Sequence, residues 1–190
     1  RRLAEAGAGR VVLVSRSGNP SEAVRNGIAR LRQGGADVVT LTLDVADTRA
    51  VEAVVSDLTG SAMPLRGIVH AAVTYADARL ADMSGDKVAA VLAPKVAGAL
   101  NLTRAALAAG AELDFFLSLS SLAQVLGWRG QINYAAANAC LEALATVQRA
   151  HGIPGCCINL GMLGEAGFVA RSAAMTDYLA SAGWRPISHE

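Results

Sequence analysis

The sequence predicts an α/β protein built on a doubly wound parallel sheet, and three observations carry that expectation. Short apolar runs rich in valine, isoleucine and leucine alternate with longer segments of helical period, the pattern of stacked βαβ units. The runs are apolar at nearly every position, as strands buried on both faces of a parallel sheet require. Glycines at 34–35, 110 and 152 follow the helical segments, where a helix needs a residue that tolerates a left-handed turn.

The elements follow in order. Strands are expected at Arg10 to Ser15, Asp37 to Leu43, Gly67 to His70, Asp114 to Leu119 and Gly155 to Leu160. Between them, helical period and stop signals predict helices at Ser21 to Gln33, Thr48 to Leu58, Gly85 to Ala109 and Gln131 to Ala150, with another near Ala173 to Ser181. No repeat or linker interrupts the pattern, so residues 1–190 are expected to form one domain. Both ends look truncated. Arg1 to Ala6 has the character of a helix end running into the strand at Val11, whereas a Rossmann-like fold should open with a strand and a glycine-rich phosphate loop. Gly7-x-Gly9 does not supply that loop, since no third glycine follows and a strand comes next. A closing strand is likewise expected beyond the chain.

Composition narrows the function classes. The 190 residues carry a formal net charge of +1, which argues against a nucleic-acid partner. No apolar run reaches the ~20 residues of a membrane span and no signal segment opens the chain, so a cytoplasmic location without a membrane partner is expected. Three cysteines, two of them adjacent (Cys156 and Cys157), and three scattered histidines give no metal-ligand spacing. Cationic residues are lopsided, with 15 arginines but only two lysines, Lys87 and Lys95.

Chemistry-bearing residues gather at the predicted strand ends, where ligands bind in open α/β sheets. Ser15-Arg16-Ser17 places a guanidinium between two hydroxyls after the first strand, a set that suits a phosphate dianion; the plain alternative is a solvated arginine. Asp44-Val45 follows the second strand, and Asp44 either faces a ligand or starts the next loop. His70-Ala71-Ala72 ends the third, with small residues that let a flat ring approach; His70 itself suits a satisfied core position better than an acid or base. The fourth strand runs into Ser120-Ser121, and the following helix opens Asn133-Tyr134-Ala135-Ala136-Ala137-Asn138. Tyr134 and Asn138, four apart, share one helical face. A lone tyrosine among alanines is ordinary packing, but with Ser121 and Lys95 it forms a set able to protonate a carbonyl oxygen.

With these residues the chain resembles the short-chain dehydrogenase/reductase superfamily, and more narrowly the ketoreductase domains of modular type I polyketide synthases and animal-type fatty-acid synthases. The resemblance covers Val11 to Gly167. It rests on Val12-Leu13-Val14-Ser15-Arg16, Asp44-Val45-Ala46-Asp47, Ile68-Val69-His70-Ala71-Ala72, Ala93-Pro94-Lys95-Val96, Leu119-Ser120-Ser121 and Asn133 to Ala139. Free-standing reductases carry lysine four residues after the tyrosine. Here Asn138 stands there and the lysine is Lys95 on an earlier helix, the exchange found in the synthase ketoreductases. Lys87 matches nothing in the family and is expected to be a solvated surface charge.

The resemblance implies reduction of a β-ketoacyl thioester tethered to an acyl carrier protein, with NADPH as cofactor and neighbouring synthase domains as partners. Tyr134 would be the general acid, Lys95 the ammonium that stabilises its phenolate, Ser121 a hydrogen-bond donor to the substrate oxygen, and Asn138 the holder of the lysine or a relay water. Ser15, Arg16, Ser17, Asp44, Val45, His70, Ala71, Ala72, Lys95 and Tyr134 would meet the cofactor. Asp77, at the last aspartate of a Leu-Asp-Asp signature, and Leu126, where the opposite class has tryptophan, imply a D-configured alcohol. The chain departs from the family at Val73, where glycine is usual, and at Asn159 to Gly164, which lacks a Trp-Gly-x-Trp pattern. Two other readings stay open: a silent scaffold domain, and an independent reductase of small ketones.

Overall fold

The fold was obtained as a computed structural model, which describes residues 2–161 together with Ser181, Gly183, Arg185 and Ile187. The helix expected near Ala173 to Ser181 lies, apart from Ser181, outside the described residues, as do Met162 to Gly164. A single helical turn, α1 (Arg2–Glu5), leads into β1 (Arg10–Ser15), α2 (Glu22–Gln33), β2 (Asp37–Thr42), α3 (Thr48–Thr59) and β3 (Gly67–His70). A loop with a short 3-10 turn at Leu80–Asp82 precedes α4 (Gly85–Leu92), a π-turn at Ala93–Ala97 and α5 (Gly98–Ala108). Then come β4 (Phe115–Ser121), the short α6 (Ala123–Leu126), α7 (Ile132–Ala150) and β5 (Gly155–Leu160).

All strand pairs are parallel, and flanking helices give the Rossmann-like architecture. The helix starts follow from their caps. Ser21 Oγ accepts the Val24 amide and Asp47 Oδ1 the Ala50 amide, each meeting an amide the first turn leaves unpaired. The core lies on the inner face of α3 and α5, where Val51, Val55 and Ala105 are buried with Leu43, and continues through Ile68, Ala106, Phe116 and Ile153.

Four expectations change. The sheet is in two pieces, β1–β2 and β3–β4–β5, because no strand among the described residues pairs with the free edges of β1 and β3. For the same reason β1 is not buried on both faces: Leu13 and Val14 are 37% and 41% exposed. The fourth strand extends to Ser121 rather than stopping at Leu119, since Ser120 and Ser121 stay in register with Asn159 and Leu160 of β5. The long helix expected over Gly85 to Ala109 is broken by the π-turn, in which the Gly98 amide bonds back to the Ala93 carbonyl. Pro94, which has no amide hydrogen to donate, sits inside that turn.

Candidate active site

The C-terminal ends of β2 and β3 meet at the start of α5. A Cβ on Gly98 would lie 2.6 Å from Val45 Cγ2 and 3.2 Å from His70 Cε1, so only glycine lets the helix approach both strands. Asn101, one turn on, donates to the Val45 carbonyl at 3.0 Å and ties the loop after β2 to the same helix.

Just before Gly98, the π-turn delivers Lys95. This lysine is 3% exposed, rare for an ammonium with no acidic partner among the described residues. Its Nζ donates to the Leu119 carbonyl of β4 at 2.9 Å and lies 5.6 Å from the centre of the Tyr134 ring, within reach of a cation–π attraction. Burial pushes its pKa down to about 8, with the Cys157 thiol opposing that shift. The backbone of Lys95 is held as well, since His70 Nε2 is 2.9 Å from its carbonyl oxygen.

Tyr134 sits in the first turn of α7, half-buried, with the ring of Tyr75 tilted against it at 5.2 Å between centres. Its amide is capped by Asn133 Oδ1 at 2.9 Å. The buried Asn133 carboxamide also donates to the Ala76 carbonyl (2.9 Å) and the Lys87 carbonyl (3.1 Å). One residue therefore joins the tyrosine, the loop after β3 and α4. Asn138, fully buried, donates to the Tyr134 carbonyl at 2.8 Å, while its Oδ1 is buried with no hydrogen-bond partner among the described residues. Ser121, at the end of β4, accepts the Ala123 amide at 3.2 Å and starts the turn into α6.

The structure thus gathers Lys95, Tyr134 and Asn138 around the end of β4, with Ser121 two residues beyond the carbonyl that anchors the lysine. Several expected placements change in detail. The Lys95 ammonium donates to the Leu119 carbonyl rather than to Asn138, whose amide N–H donates within α7 and whose Oδ1 takes no hydrogen bond from among the described residues. His70 is 2% exposed and bonded to Lys95, so its ring is a packed strut rather than a surface offered to a cofactor. Asp44 lies beyond β2 and its Oδ1 accepts the Ala46 amide at 2.9 Å, the role of a residue that starts a loop. Ser15, Arg16 and Ser17 are exposed at the end of β1, where Gly18, with φ +62° and Thr42 Oγ1 against its α-carbon, turns the chain. Ala71 and Ala72 follow β3, exposed and half-buried, and Val73 is 42% exposed. Asp77 accepts Gln131 Nε2 at 2.8 Å and Leu126 is exposed on α6, so both lie at the rim rather than among the buried groups. Lys87 donates its ammonium to the Asp82 carbonyl at the surface.

Sequence reasoning missed the Asn133 bridge, the Leu119 carbonyl and the π-turn. Of these only the π-turn had a signal, Pro94 within a helical pattern. Among the described residues no cluster of His, Cys, Asp and Glu could hold a metal ion, and no helix is long and apolar enough to cross a membrane.

A parallel α/β fold carrying serine, tyrosine, lysine and asparagine at the end of one strand defines the short-chain dehydrogenase/reductase class of oxidoreductases. Residues 1–165 match the KR domain family. The chain is 37% identical over 188 residues to a squalestatin tetraketide synthase of Phoma sp., covering 99% of this chain and 7% of that protein. It is 41% identical over 179 residues to a mycocerosic acid synthase-like polyketide synthase of Mycolicibacterium smegmatis, covering 93% and 8%. Among solved structures, an A-type ketoreductase from a modular polyketide synthase superposes with a TM-score of 0.89 at 35% identity, over 98% of this chain and 39% of that one. The chain belongs to the ketoreductase (KR) domain family of polyketide synthases, and it spans less than a tenth of the length of these two synthases.

Proposed function

We propose that the chain reduces the β-keto group of an acyl thioester, carried on an acyl carrier protein, to a β-hydroxyacyl thioester with NADPH. The observation that carries the reading is the buried Lys95 ammonium, anchored to the Leu119 carbonyl and lying 5.6 Å from the ring centre of Tyr134. An ammonium that no carboxylate among the described residues neutralises has little structural value in a core. Beside a phenol it favours the phenolate left when the proton has gone to substrate.

The residues fit a nicotinamide cofactor. Lys95 has N–H groups beyond the one spent on Leu119 and Asn138 Oδ1 lacks a donor, so hydroxyl groups of a ribose or a water find complementary partners there. The exposed Arg16 guanidinium, between the hydroxyls of Ser15 and Ser17, suits the extra phosphate that distinguishes NADPH from NADH. When bound, NADPH supplies the hydride. Tyr134 gives its proton to the oxygen that becomes negative, Ser121 donates a hydrogen bond to the same oxygen, and Lys95 stabilises the phenolate that remains.

The Asp77 carboxylate, fixed by Gln131 at the rim, supports a D-configured product. The test is incubation of the full-length protein with a β-ketoacyl thioester and NADPH, followed by chiral chromatography. Hydroxyacyl product is expected, in the D form. No product overturns the activity, and L-alcohol alone overturns the stereochemistry while leaving the activity intact. The partnership with an acyl carrier protein has its own test: a carrier-bound substrate is expected to give a higher kcat/KM than the same acyl group on a short thiol, and equal values overturn it.

A further inference from the structure

We propose that His70 is a positioning residue for Lys95: its hydrogen bond to the Lys95 carbonyl holds the π-turn Ala93–Ala97 against the end of β3 and so aims the ammonium at Tyr134. The inference rests on the reading of Lys95 as part of the reducing site, and deepens it. A lysine side chain has four rotatable bonds, so fixing only its tip leaves the stem free to move with its backbone. Here both ends are fixed, by different strands: the ammonium by Leu119 of β4 and the carbonyl by His70 of β3. The backbone in between is a π-turn, a wide turn frequent at functional sites and without the full hydrogen bonding of an α-helix. An added anchor matters most where the helix supplies least.

The chemistry of the contact is unambiguous about the proton. A carbonyl oxygen only accepts, so Nε2 carries the hydrogen and donates. Burial lowers the His70 pKa; the bond to the Lys95 carbonyl opposes that shift and the nearby ammonium reinforces it. Among the described residues the other titratable groups around Lys95 are Tyr134 and, on β5, Cys157, with Glu142 of α7 acting on Cys157 in turn. Gly98 completes the joint, since a Cβ there would press on the His70 ring and on Val45.

The variants His70→Leu and His70→Asn lose the donor or its reach, while His70→Gln keeps an amide N–H at nearly the same distance. In the full-length protein, competitive acylation with acetic anhydride across pH, read by peptide mass spectrometry, gives the titration midpoints of Lys95 and of exposed Lys87. In both His70→Leu and His70→Asn the Lys95 midpoint is expected to move up from about 8 toward the ordinary lysine value. In His70→Gln it stays at the wild-type value. Should His70→Leu not fold, His70→Asn decides. Turnover per folded molecule is expected to fall about tenfold to 10²-fold in the loss variants, as for a small displacement of a catalytic group. It recovers in His70→Gln, and adding His70→Leu to a Lys95→Met background costs nothing more. A Lys95 midpoint unchanged by both loss variants overturns the proposal. If the wild-type protein reduces no β-ketoacyl thioester, the proposed function fails, and the acylation profile still decides the role of His70.

Discussion

The two ends of the molecule are built to different standards. Around β3, β4 and α7, polar side chains are buried and bonded to backbone: Lys95 to Leu119, His70 to Lys95, Asn133 to Ala76 and Lys87, Ser120 to Asn138. At the end of β1, by contrast, no hydrogen bond or ion pair among the described residues anchors Arg16. A group that must protonate one atom gains from being fixed before the substrate arrives. A group that recognises a phosphate can be ordered by the phosphate itself, at the cost of some affinity. Changes near β4 should therefore strike kcat, and changes at the end of β1 should strike the cofactor KM.

The largest expected effect is Tyr134→Phe, which removes the proton donor and should lower kcat by about 10²–10⁴-fold in a β-ketoacyl reduction assay. Lys95→Met should follow, with a loss of about 10²-fold in kcat. Lys95→Arg should not rescue it, because a planar guanidinium does not fit a pocket shaped for a compact ammonium at the Leu119 carbonyl. Arg16→Ala should raise the KM for NADPH about tenfold, the loss of one charge-assisted hydrogen bond. It should leave kcat and the KM for NADH unchanged, which steady-state kinetics with both cofactors would show.

The pH dependence is the mildest and separates the two regions again. Lys95 loses its proton above about 8, so kcat should decline on the alkaline side of that value in the wild type and show no such limb in Lys95→Met. Stability should run the other way. The unfolded chain holds the lysine proton up to about 10.4, so between the two values it binds more protons than the folded one and stability rises with pH. That contribution is lost in Lys95→Met, as denaturant titrations at pH 7 and pH 10 would reveal.

The same contrast sets what the sequence makes legible. Strand positions were readable because apolar runs of β-branched residues announce them; Ser120 and Ser121 stood at the end of one, and Tyr134 opened the helix that follows. The scarcity of lysine pointed to Lys95, which is buried, but equally to Lys87, which lies at the surface with its ammonium on the Asp82 carbonyl. The separation of β1–β2 from β3–β4–β5 was not readable, because apolar content does not say which edges pair. The anchors of Lys95 were hidden for another reason. The Leu119 carbonyl is backbone, present at every residue, and the His70 contact spans 25 positions with no spacing rule. Asp44 shows the opposite failure, since an aspartate after a strand looks the same whether it meets a ligand or caps its own loop.

The central claim is the division of labour between these ends, and the NADPH dissociation constant of Tyr134→Phe tests it most directly. Fluorescence titration of the full-length variant should give a value within about twofold of wild type, although reduction is abolished. A dissociation constant weakened as much as in Arg16→Ala would contradict the account, because Tyr134 would then be holding the cofactor rather than waiting for the substrate oxygen.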